Sequence, residues 1–573
     1  MSGTVRHFTA ALMLAAAPFA ATAHSEAAKL APGDLRPAGR IDFPINCNTA
    51  TQADFNRAVA LLHSFFYEEA RNVFTQIAAQ DPSCAMAQWG IAQTWWHPIW
   101  APPNPEEMAA GRAAADKAMG LKASARERAF IEAINTYYNT PEPKDAGPVG
   151  QSCHGPIGPR ERVLAYEQAM KKVHERFPKD VETQVFYAFA VLAVGYATPL
   201  DKTLTHQKAA GAMLDKLWKQ HRKHPGVAHY LIHAYDYPAL ASRALEPAQA
   251  YGEIAPWVPH ALHMPSHIFT RLGMWDESIV GNQASAEASR SYAALRKRDA
   301  AEVEELHALD YMMYSYLQQA RDAAARKVLD EASSVRTTYP EFEFIGAYAL
   351  AAMPARFALE RNAWAEAAAL PIPARPQWAR FPFIEAMFEY AHALGRARSG
   401  DVAGARKAVE RMRALREATT EPKFDYFKRH IELQVQAASA WLAHAEGRSD
   451  EAVAMLGVAA EAEDVLGKHP VTPGALVPAR EQLGELLLIL KRYPEAQKAY
   501  ESALAIYPAR FNGLYGAALA AEQGGDRKVA RRHYEALMKQ AAKADAQRPE
   551  LAKAKTFLAS TDADGNLKVA GAR

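Results

Sequence analysis

Apolar and small residues recur along the chain in a fixed order. Tyr67, Ala70, Phe74 and Pro82 follow one spacing: an aromatic, Ala three later, an aromatic four later, and Pro eight after that. Tyr493, Ala496, Tyr500 and Pro508 repeat it, with Leu483-Gly484 upstream where two helices must approach closely. Gly525, Ala530 and Tyr534 continue the pattern, Ala530 lying 34 residues beyond Ala496. Small-residue turns before Ala or Ser mark further helix pairs at Gly400-Asp401 to Ala405, Gly447-Arg448 to Ala452, and Gly273-Met274-Trp275 to Ser278. The segments between are rich in Ala, Leu and Glu, and none alternates with period two as a strand should. Loops rich in Pro and Gly interrupt the array at Pro98–Pro105, Pro141–Pro159 and Pro371–Pro376.

These features resemble the tetratricopeptide repeat (TPR), a helix–turn–helix unit. The resemblance implies an all-α solenoid, a right-handed superhelix of about ten to twelve helix pairs between Thr51 and roughly Lys543. Residues 24–50 read as an extended lead-in and 544–573 as a C-terminal helix and flexible tail. The resemblance also implies that the first helix of each pair lines a concave face, with ligand-reading places two, five and nine residues into it.

Composition narrows the function classes. The chain has 573 residues, 49% of them hydrophobic, and a formal net charge of +2. That is ample for a folded core, and it gives no reason to expect nucleic acid or an anionic membrane as partner. Met1–Ala23 reads as a secretory signal: Arg6 and His7, an apolar run from Phe8 to Ala21, then a small-residue site ending at Ala23. No later stretch is long and apolar enough to span a bilayer, so a periplasmic or secreted protein is expected. Export permits disulfides. Cys47 precedes the first repeat and Cys84 opens a helix one repeat on, so a Cys47–Cys84 bridge is the candidate; two unpaired buried thiols are the alternative. Cys153 is left over, and oligomeric state is open.

Histidine changes the picture most. Eight of the 20 histidines fall within residues 221–307. His229 and His233 stand four apart, hence on one helical face, and His263 and His267 repeat this 34 residues later. Aligned to the repeat, His260, His263 and His267 take places two, five and nine, and His229 and His233 places five and nine. The next first helix offers His307, Asp310 and Tyr314 on the matching face. One patch of six imidazoles and a carboxylate is therefore expected. Such a set suits Zn, Cu or Fe, with Asp310 as ligand or as the acceptor that fixes a tautomer. The alternatives are a groove that reads a peptide or anionic small molecule, and simple packing. Without a metal, clustered imidazoles resist simultaneous protonation, so groove binding should change between about pH 5 and 7. His63 and His97 are read as part of a packed aromatic layer, and His469-Pro470 and Arg480-Glu481 as structural.

Catalytic signatures are sparse. H-E-x-x-H, a Gly-rich phosphate loop and G-x-S-x-G are all missing. A catalytic metal would have to activate water or oxygen itself, with Asp310, Asp236 or Glu277 as candidate bases. The blocks Ala60-Leu-Leu-His-Ser-Phe, Cys84-Ala-Met-Ala-Gln-Trp-Gly, Pro259-His-Ala-Leu-His-Met-Pro-Ser-His-Ile-Phe and His469-Pro-Val-Thr-Pro-Gly resemble a family of large exported bacterial TPR proteins, from about Phe43 to Tyr534. The resemblance implies a solenoid and export, and no established activity. Two functions follow: an exported protein that binds a ligand or protein partner in its concave groove beside a metal site, or a solenoid-scaffolded metalloenzyme at the same histidines.

Overall fold

The computed structural model describes residues 38–99, 102–141, 151–152, 155–156, 160–198, 201–341, 344–375 and 377–570. The segment read as a signal, and Cys153, lie outside them. Helices follow one another two by two, from Gln52–His63 with Tyr67–Gln80 to Phe511–Gln523 with Arg527–Gln540, and Pro549–Ala570 packs on the last. Each helix packs chiefly on its neighbours in sequence, which is the all-α solenoid expected. The only ladders among the described residues are two-residue pairs in loops, Gln151–Ser152 with Gly155–Pro156 and Ala301–Glu302 with Thr338–Tyr339.

The repeat pattern has a direct packing cause. Gly484 and Gly516 lie on the two sides of Tyr500, and a methyl group at either would come within 2.7 and 2.2 Å of that ring. A methyl at Gly90 would likewise meet the Phe74 ring at 2.4 Å. Glycine lets the helices close onto the repeat's aromatic, and Ala completes the contact. At the turns Gly400 and Gly447 take φ of 85°, a region only glycine enters freely. Spacing drifts in mid-chain because prolines interrupt: Pro265 splits one first helix into Pro259–His263 and Pro265–Leu272, and Pro354 lies inside Phe344–Leu359.

The two layers differ in character. Outer helices are amphipathic; Asp322–Ser334 buries Ala325, Val328, Leu329 and Ala332, one helical stripe. Inner helices are buried all round, and every residue of Pro225–Tyr235 is buried. The superhelix winds so tightly that its concave side becomes core. Gln52–His63 returns to touch Pro225–Tyr235. Tyr311 donates to the carbonyls of Pro470 and Thr472, and the Trp275 indole donates to Ala509 at 3.0 Å. The loop following Ser449–Leu466 and the turn before Phe511 thus fill the space beside the histidine helices. An open groove at those places was expected; the chain itself occupies it.

Long-range ties hold this closure. Arg510 is buried and donates to Glu360, Glu481 and the Tyr314 hydroxyl at 2.7–3.1 Å. At the other end Cys47 and Cys84 are joined by a disulfide, Cα–Cα 5.0 Å.

Candidate metal centre

The six imidazoles resolve into two adjacent triads rather than one patch. His229, His233 and His260 form the first, and His263, His267 and His307 the second; within each, one donor atom per ring lies within 4.8 Å of the others. Both follow one plan: an i,i+4 pair on one first helix, completed by a histidine from the next. His224 caps the Pro225–Tyr235 helix by accepting from the Val227 amide, with Pro225 at its first turn, and so sets the phase of His229 and His233. His260 and His263 share the short Pro259–His263 helix, their ring centroids 6.5 Å apart, so the triads stand side by side.

In the second triad the tautomers are forced. Asn282 donates through Nδ2 to the Ser278 carbonyl at 2.7 Å, which turns its Oδ1 toward His263 Nδ1, also 2.7 Å away. Oδ1 only accepts, so His263 carries its proton on Nδ1. His267 Nδ1 faces the Asp236 carboxylate at 3.0 Å and must donate too. Burial pushes the Asp236 carboxyl up, but Lys468, Arg271 and His267 together hold it well below the usual carboxylate range. In the neutral rings both Nε2 atoms are therefore unprotonated, and they face each other at 3.1 Å. Two lone pairs at that distance repel unless a cation sits between them. A proton is disfavoured: burial, neighbouring imidazoles and Lys468 push both rings below their ordinary value, against the pull of Asn282 and Asp236. The His307 ring centroid lies 4.3 Å from that of His263, which brings a third nitrogen.

The first triad shares the geometry without the compulsion. His229 Nδ1 donates to the His63 carbonyl at 2.7 Å, leaving its Nε2 bare and 3.0 Å from His233 Nε2. His233 Nδ1 lies 3.3 Å from the Tyr196 hydroxyl, so either tautomer of His233 satisfies its neighbours. His260 completes the triad, its Nδ1 3.6 Å from the Glu304 carboxylate. Tetrahedral zinc with bonds of 2.0–2.1 Å needs donors about 3.4 Å apart. The paired nitrogens are nearly there, and each third imidazole closes in by about 1.4 Å at most.

The remaining predicted residues fall elsewhere. Asp310 belongs to neither triad: a buried guanidinium, Arg356, donates to its Oδ1 at 3.2 Å, while Arg356 also holds the Gly474 carbonyl and Thr472. Glu277 is exposed on an outer helix. His63 does not stack on His97. It donates to Glu182 at 2.9 Å and meets the Tyr230 hydroxyl, whereas His97 packs on Tyr67 and bonds the Thr94 carbonyl. His63, Glu182 and His224 resemble a metal triad in composition, yet every contact is satisfied by neutral imidazoles donating to a carboxylate. Burial raises Glu182, and His224 and His63 outweigh it, holding it ionised. The Asp236 link, the Asn282 lock and Glu304 gave no sequence signal beyond residue type; Glu304 stands three before His307, the spacing of one helical face. Burial also moves the acid response: His260 falls to about 3, and His229, His233 and His263 stay well below ordinary histidine. Burial thus moves these rings below the pH 5 to 7 window expected of the cluster.

No helix among the described residues is long and apolar enough to cross a membrane. No family model and no curated protein matches the chain. Among solved structures, yeast Tom70 is similar at 10% identity and TM-score 0.34, over 91% of this chain and 97% of that one. The TPR domain of P58(IPK) gives 15% and 0.21 over 65% and 99%, and Naa15/Naa10 bound to HypK-THB gives 11% and 0.22 over 90% and 75%. At such scores they carry no weight for this site, and the architecture rests on the chain's own helix packing.

Proposed function

We propose that this chain is an exported helical-repeat protein that binds transition metal through its paired histidine triads and presents a ligand or protein partner to one of them. The observation that carries the metal reading is the convergence of three imidazoles in each triad, with the Nε2 atoms of His263 and His267 3.1 Å apart and both Nδ1 atoms facing acceptors. Neutral imidazoles suit Zn, Cu or Fe, and the outer nitrogens of His229, His263 and His267 are oriented by a carbonyl, an amide and a carboxylate, as metal-bound histidines usually are. Packing alone does not support such an arrangement, because hydrogen bonding would be better served by one reversed ring. A metalloenzyme is the second reading, favoured by the access of His260 to a cleft.

The test is elemental analysis of tag-free mature protein after exposure to Zn, Cu and Fe followed by exhaustive dialysis. Stoichiometric metal is expected, reduced in His263→Ala/His267→Ala and again when His229→Ala/His233→Ala is added. Wild-type protein that retains none of the three metals overturns the reading.

A further inference from the structure

A cleft of about 710 Å³ opens between residues of the first repeats and residues 289–424, and His260 is the one triad histidine that lines it. The second triad lies behind Tyr311 and the strand of chain that Tyr311 bonds at Pro470 and Thr472. A solute entering the cleft therefore meets the first triad alone.

Phe65 forms the boundary between cleft and triad. Its backbone sits at φ 56°, a conformation that bulky residues rarely adopt and that surrounding structure must enforce. The consequence is a ring stacked on His260 at 5.6 Å and edge-on to His229 at 4.3 Å, while the same side chain also faces the cavity. Tyr292, Phe344 and Phe381 extend this aromatic wall. The charges are unequally committed. Glu68 and Glu302 both accept from Arg298, and Glu107 accepts from the Asn104 amide to cap its helix. Arg71 donates to the Thr94 carbonyl and lies over Trp95, and Arg380 lies 5.4 Å from the Phe381 centroid. Glu304 also lines the cleft, 3.6 Å from His260 Nδ1, and the two guanidiniums are turned to a carbonyl and to rings.

We propose that the cleft is a pocket for a small molecule bearing an aromatic ring, whose oxygen takes the open position of a metal held by His229, His233 and His260. This rests on the metal reading above. Three imidazoles leave one position of a tetrahedral ion free, and the wall suits the ring, which prefers offset or edge-on contacts with its neighbours.

The experiment uses the Co²⁺-loaded full chain, whose visible spectrum reports a change of ligand, with benzohydroxamate and acetohydroxamate as probes. Benzohydroxamate should perturb the wild type and His263→Ala/His267→Ala alike, and bind roughly tenfold more tightly than acetohydroxamate, the worth of one good aromatic contact. Phe65→Ala should bring that ratio below about three. Equal affinities, a response that survives His229→Ala/His233→Ala, or a His263→Ala/His267→Ala variant without cobalt overturns the pocket. Cobalt held by His229→Ala/His233→Ala would show the second triad, and with it the metal reading, still standing. Wild-type protein that takes up no cobalt, zinc, copper or iron overturns both.

Discussion

Asp236→Asn isolates the electrostatics of the second triad from its ligand count. The carboxylate touches no metal position; it accepts from His267 Nδ1 at 3.0 Å and from Arg271 Nε at 2.8 Å, with Lys468 at 3.9 Å. Adding the width of an imidazole and a metal–nitrogen bond places the carboxylate about 7 Å from an ion held by His263 and His267. Removing one charge at that separation, with an effective dielectric of about 20, costs about 2.4 kcal/mol of cation binding. The conversion is roughly 50-fold in Kd, inside the span usual for residues that orient metal-bound histidines. Asparagine keeps the size and an acceptor oxygen, so the ring retains its orientation while the charge is lost. The assay is competition for Zn²⁺ against a chromophoric chelator at pH 7, on protein carrying His229→Ala/His233→Ala so that the second triad alone reports. Circular dichroism of the apo forms checks that Arg271 and Lys468, left without their counter-ion, have not unfolded the region. An affinity within threefold of the parent, in folded protein, refutes the placement of a cation between these rings.

Two predictions concern the scaffold. Arg510→Ala should cost about 3–5 kcal/mol, because Glu360 and Glu481 would be left buried, charged and facing each other; hydrogen exchange should locate the loss in Phe511–Gln523, and a change below about 1 kcal/mol by denaturant titration would show the network to be dispensable. Glu463 is buried, and burial raises its carboxyl to about 7 although the Ala479 amide donates to it. The native state therefore keeps a proton that the unfolded chain releases near pH 4.5, and stability falls as pH rises through that interval, by up to about 3 kcal/mol, then levels off above pH 7. Glu463→Gln should remove this slope in thermal melts between pH 5 and 8, with its advantage over wild type larger at pH 8; parallel profiles would contradict the assignment.

Much of the fold was legible because its determinants are local. Aromatic, Ala and Gly at fixed offsets express contacts within one helix pair, as Tyr500 between Gly484 and Gly516 shows. The histidine pairs were legible for the same reason, since i,i+4 spacing needs only a helix. What failed to show depends on the superhelix. Nothing near residue 260 says that its imidazole leaves its own repeat to complete the preceding pair, nor that Arg356 takes Asp310 out of the cluster from 46 residues away. The expected open groove failed similarly: repeat spacing fixes how each unit meets the next, whereas the winding that returns Ala509 to Trp275 sums small rotations over many units. That winding has a chemical consequence. A groove-lining histidine in water titrates near neutrality and binds what diffuses past. The same histidine buried, with its outer nitrogen spoken for, loses its proton and keeps one lone pair aimed at its neighbour. On the function proposed above, burial turns a generic polar groove into two sites that select for a cation able to accept several nitrogens at once, with His260 as the point where such a cation meets the cleft.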